Sequence, residues 1–321
     1  MKCLEYLECL EYIECLKCLE YLKCLKNRKV NTVKVTNQKT QIIKSMENIK
    51  QIVKEKYSEI AKQTKEQNAP SCCGATSCGS IVDYTIFSED YDNLKGYNPD
   101  ADLGLGCGLP TEYAGIKLGD CVLDLGSGAG NDCFVARALV GESGYVAGLD
   151  FTEAMIDKAR ENARKLGFTN VDFIQGDIEN IPVKWGVVDV VISNCVLNLV
   201  PDKTKAFSEI NRVLKQGGHF CISDVVLQGE LPKGLKEDAV MYAGCVSGAL
   251  LREEYLQIIK DAGFKNVEVK KEKKIELPDD LLLQYISESD LAKFKTGETG
   301  IFSITVTGNK PEGCGCGCSC S

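Results

Sequence analysis

The chain has 321 residues and a formal net charge of −8 at pH 7, with 44% hydrophobic and 26% charged residues. These values are typical of a globular protein with room for two domains, and they argue against a nucleic-acid surface, which needs a basic stripe. The longest apolar runs are far shorter than the ~20 residues of a membrane span, so neither a nucleic acid nor a membrane is expected as a partner.

Cysteine is the unusual feature, because the sequence has 18 cysteines and one histidine. Five lie in the first 24 residues and four in the last eight, and the others are Cys72, Cys73, Cys78, Cys107, Cys121, Cys133, Cys195, Cys221 and Cys245. No secretory signal is recognisable, so reactive thiols in the cytoplasm are expected and a disulfide scaffold is not.

The first 110 residues predict two segments. Residues 1–45 contain a six-residue repeat whose leucines recur every three positions. Side chains at this spacing wind around a helix and do not form one apolar face, so the segment is predicted to be a low-complexity, non-functional leader. From Met46 the apolar spacing becomes helical, and residues 46–110 are predicted to be a helix followed by loops rich in cysteine and glycine over a site.

Residues 111–230 alternate strands and helices, which predicts a parallel sheet covered by helices on both faces. The predicted strands are Cys121–Leu125, Tyr145–Asp150, Val171–Gln175, Val187–Asn194 and His219–Val226, and the predicted helices are Asn131–Val140, Thr152–Leu166 and Asp202–Leu214. Residues 231–308 are expected to form a smaller α+β region with strands near Val267–Val269 and at Ile301–Thr307, and residues 309–321 a cysteine-rich tail.

A nucleoside site is predicted where the first strands end. Gly126, Gly128 and Gly130 follow the first strand, and glycines at such a turn let the backbone approach a ligand. Position 131 is Asn, so the dinucleotide fingerprint G-x-G-x-x-G is not completed. Acids accompany the ends of three successive strands, at Asp124, Asp150 and Asp177 beside Ile178. A tight strand–helix turn with capping acids and no ligand is the alternative.

This arrangement resembles the seven-stranded, Rossmann-like S-adenosylmethionine methyltransferases. The resemblance implies S-adenosylmethionine as co-substrate, with the acid Asp124 suited to its ammonium group, Asp150 to ribose hydroxyls, and Asp177 with Ile178 to adenine. A carboxylate at Asp124 would not suit a phosphate.

Three cysteines lie where the methyl acceptor is expected: Cys195 at the end of the fourth strand, Cys107 in a glycine loop and Cys245 in Met241–Ala249. The segments Asp102–Gly108, Val191–Asp202 and Tyr242–Gly248 resemble the arsenite methyltransferases, in order, over about Cys72 to Thr307. The resemblance implies that Cys107, Cys195 and Cys245 bind trivalent arsenic as substrate, and that one of Cys72, Cys73 and Cys78 joins the redox cycle. It also implies arsenite–thiol conjugates as substrates and thioredoxin or glutathione as the reductant. Residues 231–308 are then expected to bind arsenic, and the protein is expected to be a monomer.

Two other functions remain open. A methyltransferase of the same fold could act on a carbon or oxygen of a small organic molecule, and a non-catalytic, thiol-rich protein could sequester arsenic or a metal. Cys121, Cys133 and Cys221 lie inside predicted elements and are interpreted as small buried hydrophobes.

Overall fold

The structure is a computed structural model that describes residues 50–63, 89–229, 248–276, 279–283, 286–296 and 300–313. The predicted leader, Cys72, Cys73, Cys78, Cys245 and the cysteines of the tail lie outside the described residues. The chain divides into two compact units, Met1–Gln51 and Ile52–Ser321, and the architecture below is that of the second.

The described elements follow one another in α/β alternation. Helical residues 50–60 are α1, and the strands are β1 (Cys121–Leu125), β2 (Tyr145–Asp150), β3 (Val171–Gln175), β4 (Val188–Asn194), β5 (Leu214–Gln228), β6 (Lys265–Ile275) and β7 (Gly300–Asn309). The other helices are α2 (Pro110–Tyr113), α3 (Asn131–Val140), α4 (Glu153–Leu166), α5 (Lys203–Val213), α6 (Arg252–Asp261), α7 (Asp279–Leu282) and α8 (Glu288–Thr296). None of the helices in this part of the chain combines the length and the apolar character of a membrane span.

One seven-stranded sheet has the strand order β3-β2-β1-β4-β5-β7-β6, which confirms the predicted α/β fold. The strands from β3 to β5 are parallel, as predicted, whereas β7 is antiparallel to both β5 and β6. The parallel sheet predicted for residues 111–230 is therefore confirmed, and the two strands predicted in residues 231–308 join the same sheet through antiparallel pairing of β7. Because β6 and β7 complete the same sheet, the predicted boundary after residue 230 falls between strands of one sheet.

A separate apolar core covers each face of the sheet, because successive side chains of a strand point to opposite faces. Val122 and Val190 contribute to the core under α3 and α4, while Leu123 and Val191 contribute to the core under α5 and α6. Helix α1 adds Ile60 to the first of these cores. These short apolar runs are typical of parallel strands that are buried on both faces.

The junction between α5 and β5 differs from the predicted one. The sequence suggested that Gly217 and Gly218 end the helix, but α5 ends at Val213 and β5 begins at once, with Leu214 paired to Val188. The glycines lie inside the strand, where Gly217 has a φ of 76° and a Cβ on Gly218 would lie 2.9 Å from the Asp189 carbonyl oxygen. Glycine therefore allows β5 to pass this close to β4.

The core under α5 and α6 contains a chain of edge-to-face aromatic contacts. The ring of Phe220 lies 4.7 Å from Phe264 and 6.0 Å from Phe207, and Phe207 lies 5.6 Å from Tyr255, measured between ring centroids. We predict that Phe220→Ala lowers the free energy of unfolding by about 3–5 kcal/mol, since it leaves a cavity between rings.

Urea denaturation measures that change. Leu118→Ala is the control, because this leucine is 80% exposed and its removal should cost less than about 0.5 kcal/mol. A loss at Phe220 no larger than the loss at Leu118 would contradict the packing described.

Candidate active site

The carboxyl ends of β1, β2 and β4 meet at one edge of the sheet and position the predicted site. The chain leaves β1 through the turn Gly126–Gly130 and enters α3. The amide groups of Gly126 and Ser127 both donate to the carbonyl oxygen of Leu149 in β2, at 2.7 and 3.0 Å. The glycine turn is thus fixed to the neighbouring strand.

Gly126 brings the glycine turn against the segment that follows β4. Its φ is 72°, and a Cβ at this position would lie 2.3 Å from Cγ2 of Val196. Only a residue without a side chain permits this approach in this conformation. Val196 directly follows Cys195, so the turn predicted for the cofactor and the turn that carries a predicted arsenic ligand are in contact.

Asp124 and Asp150 are the two acids beside the turn. Asp124 is 2% exposed, and the thiol of Cys133 donates to its Oδ2 over 3.2 Å. Asp150 accepts from the amides of Gly128 (3.1 Å) and Thr152 (2.8 Å). Burial raises the pKa of both carboxyls, and repulsion from Asp132 raises the pKa of Asp124 further.

Asp177 and Ile178 follow β3 next to the end of β2. Gly176 joins them to that strand, since its amide donates to the Asp150 carbonyl oxygen at 3.0 Å. The Asp177 carboxylate accepts from the Glu179 amide at 2.9 Å, and Ile178 is buried. The structure therefore brings all the predicted cofactor-binding residues to one edge of the sheet.

These residues fit S-adenosylmethionine. Ser127 Oγ is buried and has no partner within the described residues, which makes it available to a polar ligand. A Cβ on Gly128 would meet no atom of these residues within 4 Å, so the turn is open at this point. Carboxylates accept from an ammonium group and from ribose hydroxyls, which are the donors that this molecule offers.

Cys107 and Cys195 are brought together beside Ser223 of β5. The Cys195 amide donates to the Ser223 carbonyl oxygen at 2.8 Å, and a Cβ on Gly108 would lie 2.5 Å from Ser223 Oγ. Both cysteines are buried, and Cys195 has a φ of 60°, which is unfavourable for a residue with a side chain. An unfavourable backbone held by a strand is common at functional sites.

A buried acid and a phenol lie near the same thiols. Asp224 accepts from the hydroxyl of Tyr255 at 3.0 Å, and burial raises the pKa of this carboxyl to about 7. Burial and Asp224 raise the pKa of Tyr255, and negative charge on Cys107 and Cys195 raises it further. One phenol thus interacts electrostatically with both cysteines.

Sequence reasoning missed Cys133 and Asn194. Cys133 was interpreted as a small hydrophobe, but it is also a hydrogen-bond donor to Asp124. Asn194 binds the loop of Cys107 through its side chain. Its position beside Cys195 was the signal available, but partners 87 residues away could not be read from the sequence.

Known proteins resemble this chain over most of its length. Residues 116–263 match the family model of a methyltransferase domain. The arsenite methyltransferase of Halobacterium salinarum is 39% identical over an alignment of 277 positions, which covers 83% of this chain and 67% of that protein. The chain belongs to the arsenite methyltransferase family. The arsenite methyltransferase of Aquipseudomonas alcaligenes is 31% identical over 77% of this chain and 70% of its own length.

A solved structure agrees with this membership in the arsenite methyltransferase family. The arsenic (III) S-adenosylmethionine methyltransferase of Chlamydomonas reinhardtii has a TM-score of 0.55 and 37% identity, over 65% of this chain and 68% of that chain. The predicted family and fold are confirmed, whereas the roles of the individual site residues stay predictions.

We predict different effects for two glycine substitutions in the turn. The Cβ of Gly128→Ala would meet no described atom, so this variant should lose only about 1 kcal/mol of stability, through its φ of 51°. It should nevertheless weaken S-adenosylmethionine binding at least tenfold (~1.4 kcal/mol), because the new methyl group fills the open side of the turn. Gly126→Ala should instead destabilise the fold itself, because it collides with Val196.

Thermal unfolding with and without the cofactor separates the two effects. Unchanged cofactor affinity in Gly128→Ala would mean that the ligand does not approach this turn.

The raised pKa of Asp124 predicts that cofactor binding releases protons. An ammonium group beside Asp124 lowers the pKa of this carboxyl, so a proton leaves on binding and the affinity should rise with pH until the carboxyl of the free protein is ionised. Calorimetry in buffers of different ionisation enthalpy measures the released protons.

Asp124→Asn is the matched control, because it keeps the shape and removes the titration. Proton uptake by the unmodified protein, or equal release by the variant, would contradict the assignment of Asp124 to the ammonium group.

Proposed function

We propose that this protein transfers methyl groups from S-adenosylmethionine to thiolate-bound trivalent arsenic. The observation that carries the proposal is the contact between Gly126 and Val196, which puts the cofactor turn against the residue after Cys195. Thiolates are soft ligands and select soft centres such as trivalent arsenic. A site with two buried cysteines at the cofactor edge suits such a substrate better than it suits a carbon or oxygen acceptor.

The protein's contribution is to hold the acceptor in line with the methyl group. S-adenosylmethionine supplies an electrophilic sulfonium methyl when it is bound. Cys107 and Cys195, with Cys245 from outside the described residues, would hold arsenic with its lone pair directed at that methyl. The lone pair forms the carbon–arsenic bond as the carbon–sulfur bond breaks, so no base is needed. Alignment of this kind can supply about 7–11 kcal/mol of a barrier.

The single histidine is not placed to act as a base at this site. The single histidine of the sequence, His219, binds the Ala114 carbonyl oxygen with its Nε2. It lies in the first half of β5, which pairs with β4 before the strand ends that form the site. Histidine therefore takes no part in the proposed transfer, which itself requires no proton abstraction.

The electrons also balance. Methyl transfer formally oxidises arsenic by two electrons, and two cysteine thiols return them when they form a disulfide. One of Cys72, Cys73 and Cys78 would take part in that disulfide. Thioredoxin or glutathione in the cytoplasm would then reduce it by thiol exchange, and arsenite–thiol conjugates would deliver the substrate.

Incubation with arsenite, S-adenosylmethionine and a thiol, followed by arsenic speciation, tests this function. We predict methylated arsenicals from the unmodified protein and none from Cys195→Ser, since oxygen is a poor ligand for a soft centre. Cys121→Ser is the matched control, because Cys121 begins β1 at the opposite end of the strand, and its activity should equal that of the unmodified protein.

Three results would decide against the proposal. A Cys195→Ser variant that methylates arsenite at the unmodified rate would favour an organic acceptor. Arsenic binding without methylation would favour sequestration. Failure to bind S-adenosylmethionine would exclude both methyltransferase functions.

A further inference from the structure

Asn194 is the last residue of β4, and its side chain connects four groups from different parts of the chain. Its Oδ1 accepts from the amide of Cys107 at 2.9 Å. Its Nδ2 lies 2.8 Å from the Gly108 carbonyl oxygen, 2.6 Å from the Tyr91 hydroxyl and 3.0 Å from Oδ2 of Asp132. The amide of this side chain thus binds the backbone N–H of Cys107 and the backbone carbonyl of Gly108, and so holds the loop on both sides of the Cys107–Gly108 peptide group.

The partners determine which atom of the amide faces which group. The Cys107 amide can only donate, while the Gly108 carbonyl and an ionised Asp132 can only accept. Turning the amide over would place its oxygen against two acceptors and its NH₂ against a donor. The network therefore needs an acceptor and two N–H donors on one short side chain, which asparagine supplies and aspartate, serine or alanine does not.

The loop that holds Cys107 rests on Asn194 with little clearance. A Cβ on Gly106 would lie 2.7 Å from Nδ2 of Asn194, so the backbone of the loop lies directly on this side chain. Ser303 of β7 also binds the loop, because its hydroxyl donates to the Cys107 carbonyl oxygen. Cys107 is completely buried as a result.

The other end of the network reaches the start of α3. Asp132 lies in the first turn of this helix, two residues after the glycine turn, and also accepts from the Tyr91 hydroxyl at 3.0 Å. Asn194 itself precedes Cys195. One amide therefore sets the loop of Cys107 relative to both Cys195 and the glycine turn.

We propose that Asn194 is a positioning residue that seats Cys107 as the third arsenic ligand, and so selects for inorganic arsenite over arsenicals that already carry a carbon. This inference rests on the proposed function. Arsenite offers three positions to thiolates, whereas a monomethyl trivalent arsenical offers two, which Cys195 and Cys245 can fill. Loss of the hydrogen bonds of Asn194 should therefore slow the methylation of arsenite and leave the methylation of the monomethyl arsenical largely unchanged.

The test compares kcat/KM for arsenite and for methylarsonous acid in Asn194→Ala and Asn194→Asp. Asn194→Asp keeps the volume of the side chain but puts an acceptor against Gly108 and Asp132. We expect a loss of about tenfold or more on arsenite and of less than about threefold on methylarsonous acid in both variants. Combining Asn194→Ala with Cys107→Ser should give no loss beyond that of Cys107→Ser alone.

Asn170→Ala is the matched control. The amide of Asn170 also bridges two carbonyl oxygens, of Gly141 and Gly144, each at 2.9 Å, but it lies just before β3, at the opposite edge of the sheet. A variant that only loosens the fold should behave in the same way. We expect the ratio of the two kcat/KM values to stay unchanged in Asn170→Ala.

A second measurement does not depend on activity. Alkylation by iodoacetamide, mapped by peptide mass spectrometry, should be about tenfold faster at Cys107 in Asn194→Ala than in the unmodified protein, with no such increase in Asn170→Ala. Equal losses on both arsenicals, additive effects with Cys107→Ser, or unchanged alkylation of Cys107 would each overturn the role of Asn194. If the unmodified protein forms no methylated arsenic, the proposed function fails, and the alkylation rates still decide whether Asn194 seats Cys107.

Discussion

The close approach of Gly126 to Val196 is the contact on which the geometry of this site depends. The parallel pairing of β1 with β4 brings their carboxyl ends to one edge, but it does not by itself decide how closely the two following turns approach each other. A glycine with a positive φ lets the first turn lie directly on the second. Because methyl transfer depends on alignment over short distances, a side chain at this position would separate the cofactor turn from the thiols as well as strain the backbone.

The buried carboxyl groups at this edge of the sheet reduce the free energy of unfolding when they are ionised. Burial raises the pKa of Asp124, Asp150 and Asp224, and raises that of Asp132 to about 6 even though Asn194 and Tyr91 bind this carboxylate. An acid whose folded-state pKa exceeds its unfolded value destabilises the fold as the pH rises through that interval, since the native state then binds more protons than the unfolded state. For Asp132 this interval extends from about pH 4 to 6. The ammonium group predicted to bind beside Asp124 would offset part of that cost and so couple cofactor binding to folding stability.

Local patterns were sufficient to predict the first half of the sheet. β1, α3, β2 and β3 have the bounds that apolar runs, glycine turns and helix caps indicated, because neighbours in sequence largely determine those elements. The extension of β5 through Gly217 and the antiparallel insertion of β7 depend on pairing with distant strands. The roles of Cys133 and Asn194 are likewise set by their distant partners, and a cysteine or an asparagine has no periodicity that announces a partner.

Asn194 places a neutral side chain between the carboxylate of Asp132 and the loop of Cys107, and a charged residue could not replace it. An arginine or lysine in its place would neutralise Asp132, but it could not accept from the Cys107 amide and would leave that buried donor unpaired. A carboxylate would accept from that amide but would repel Asp132 and the Gly108 carbonyl. The neutral amide satisfies a donor and several acceptors at once without adding charge beside the thiols.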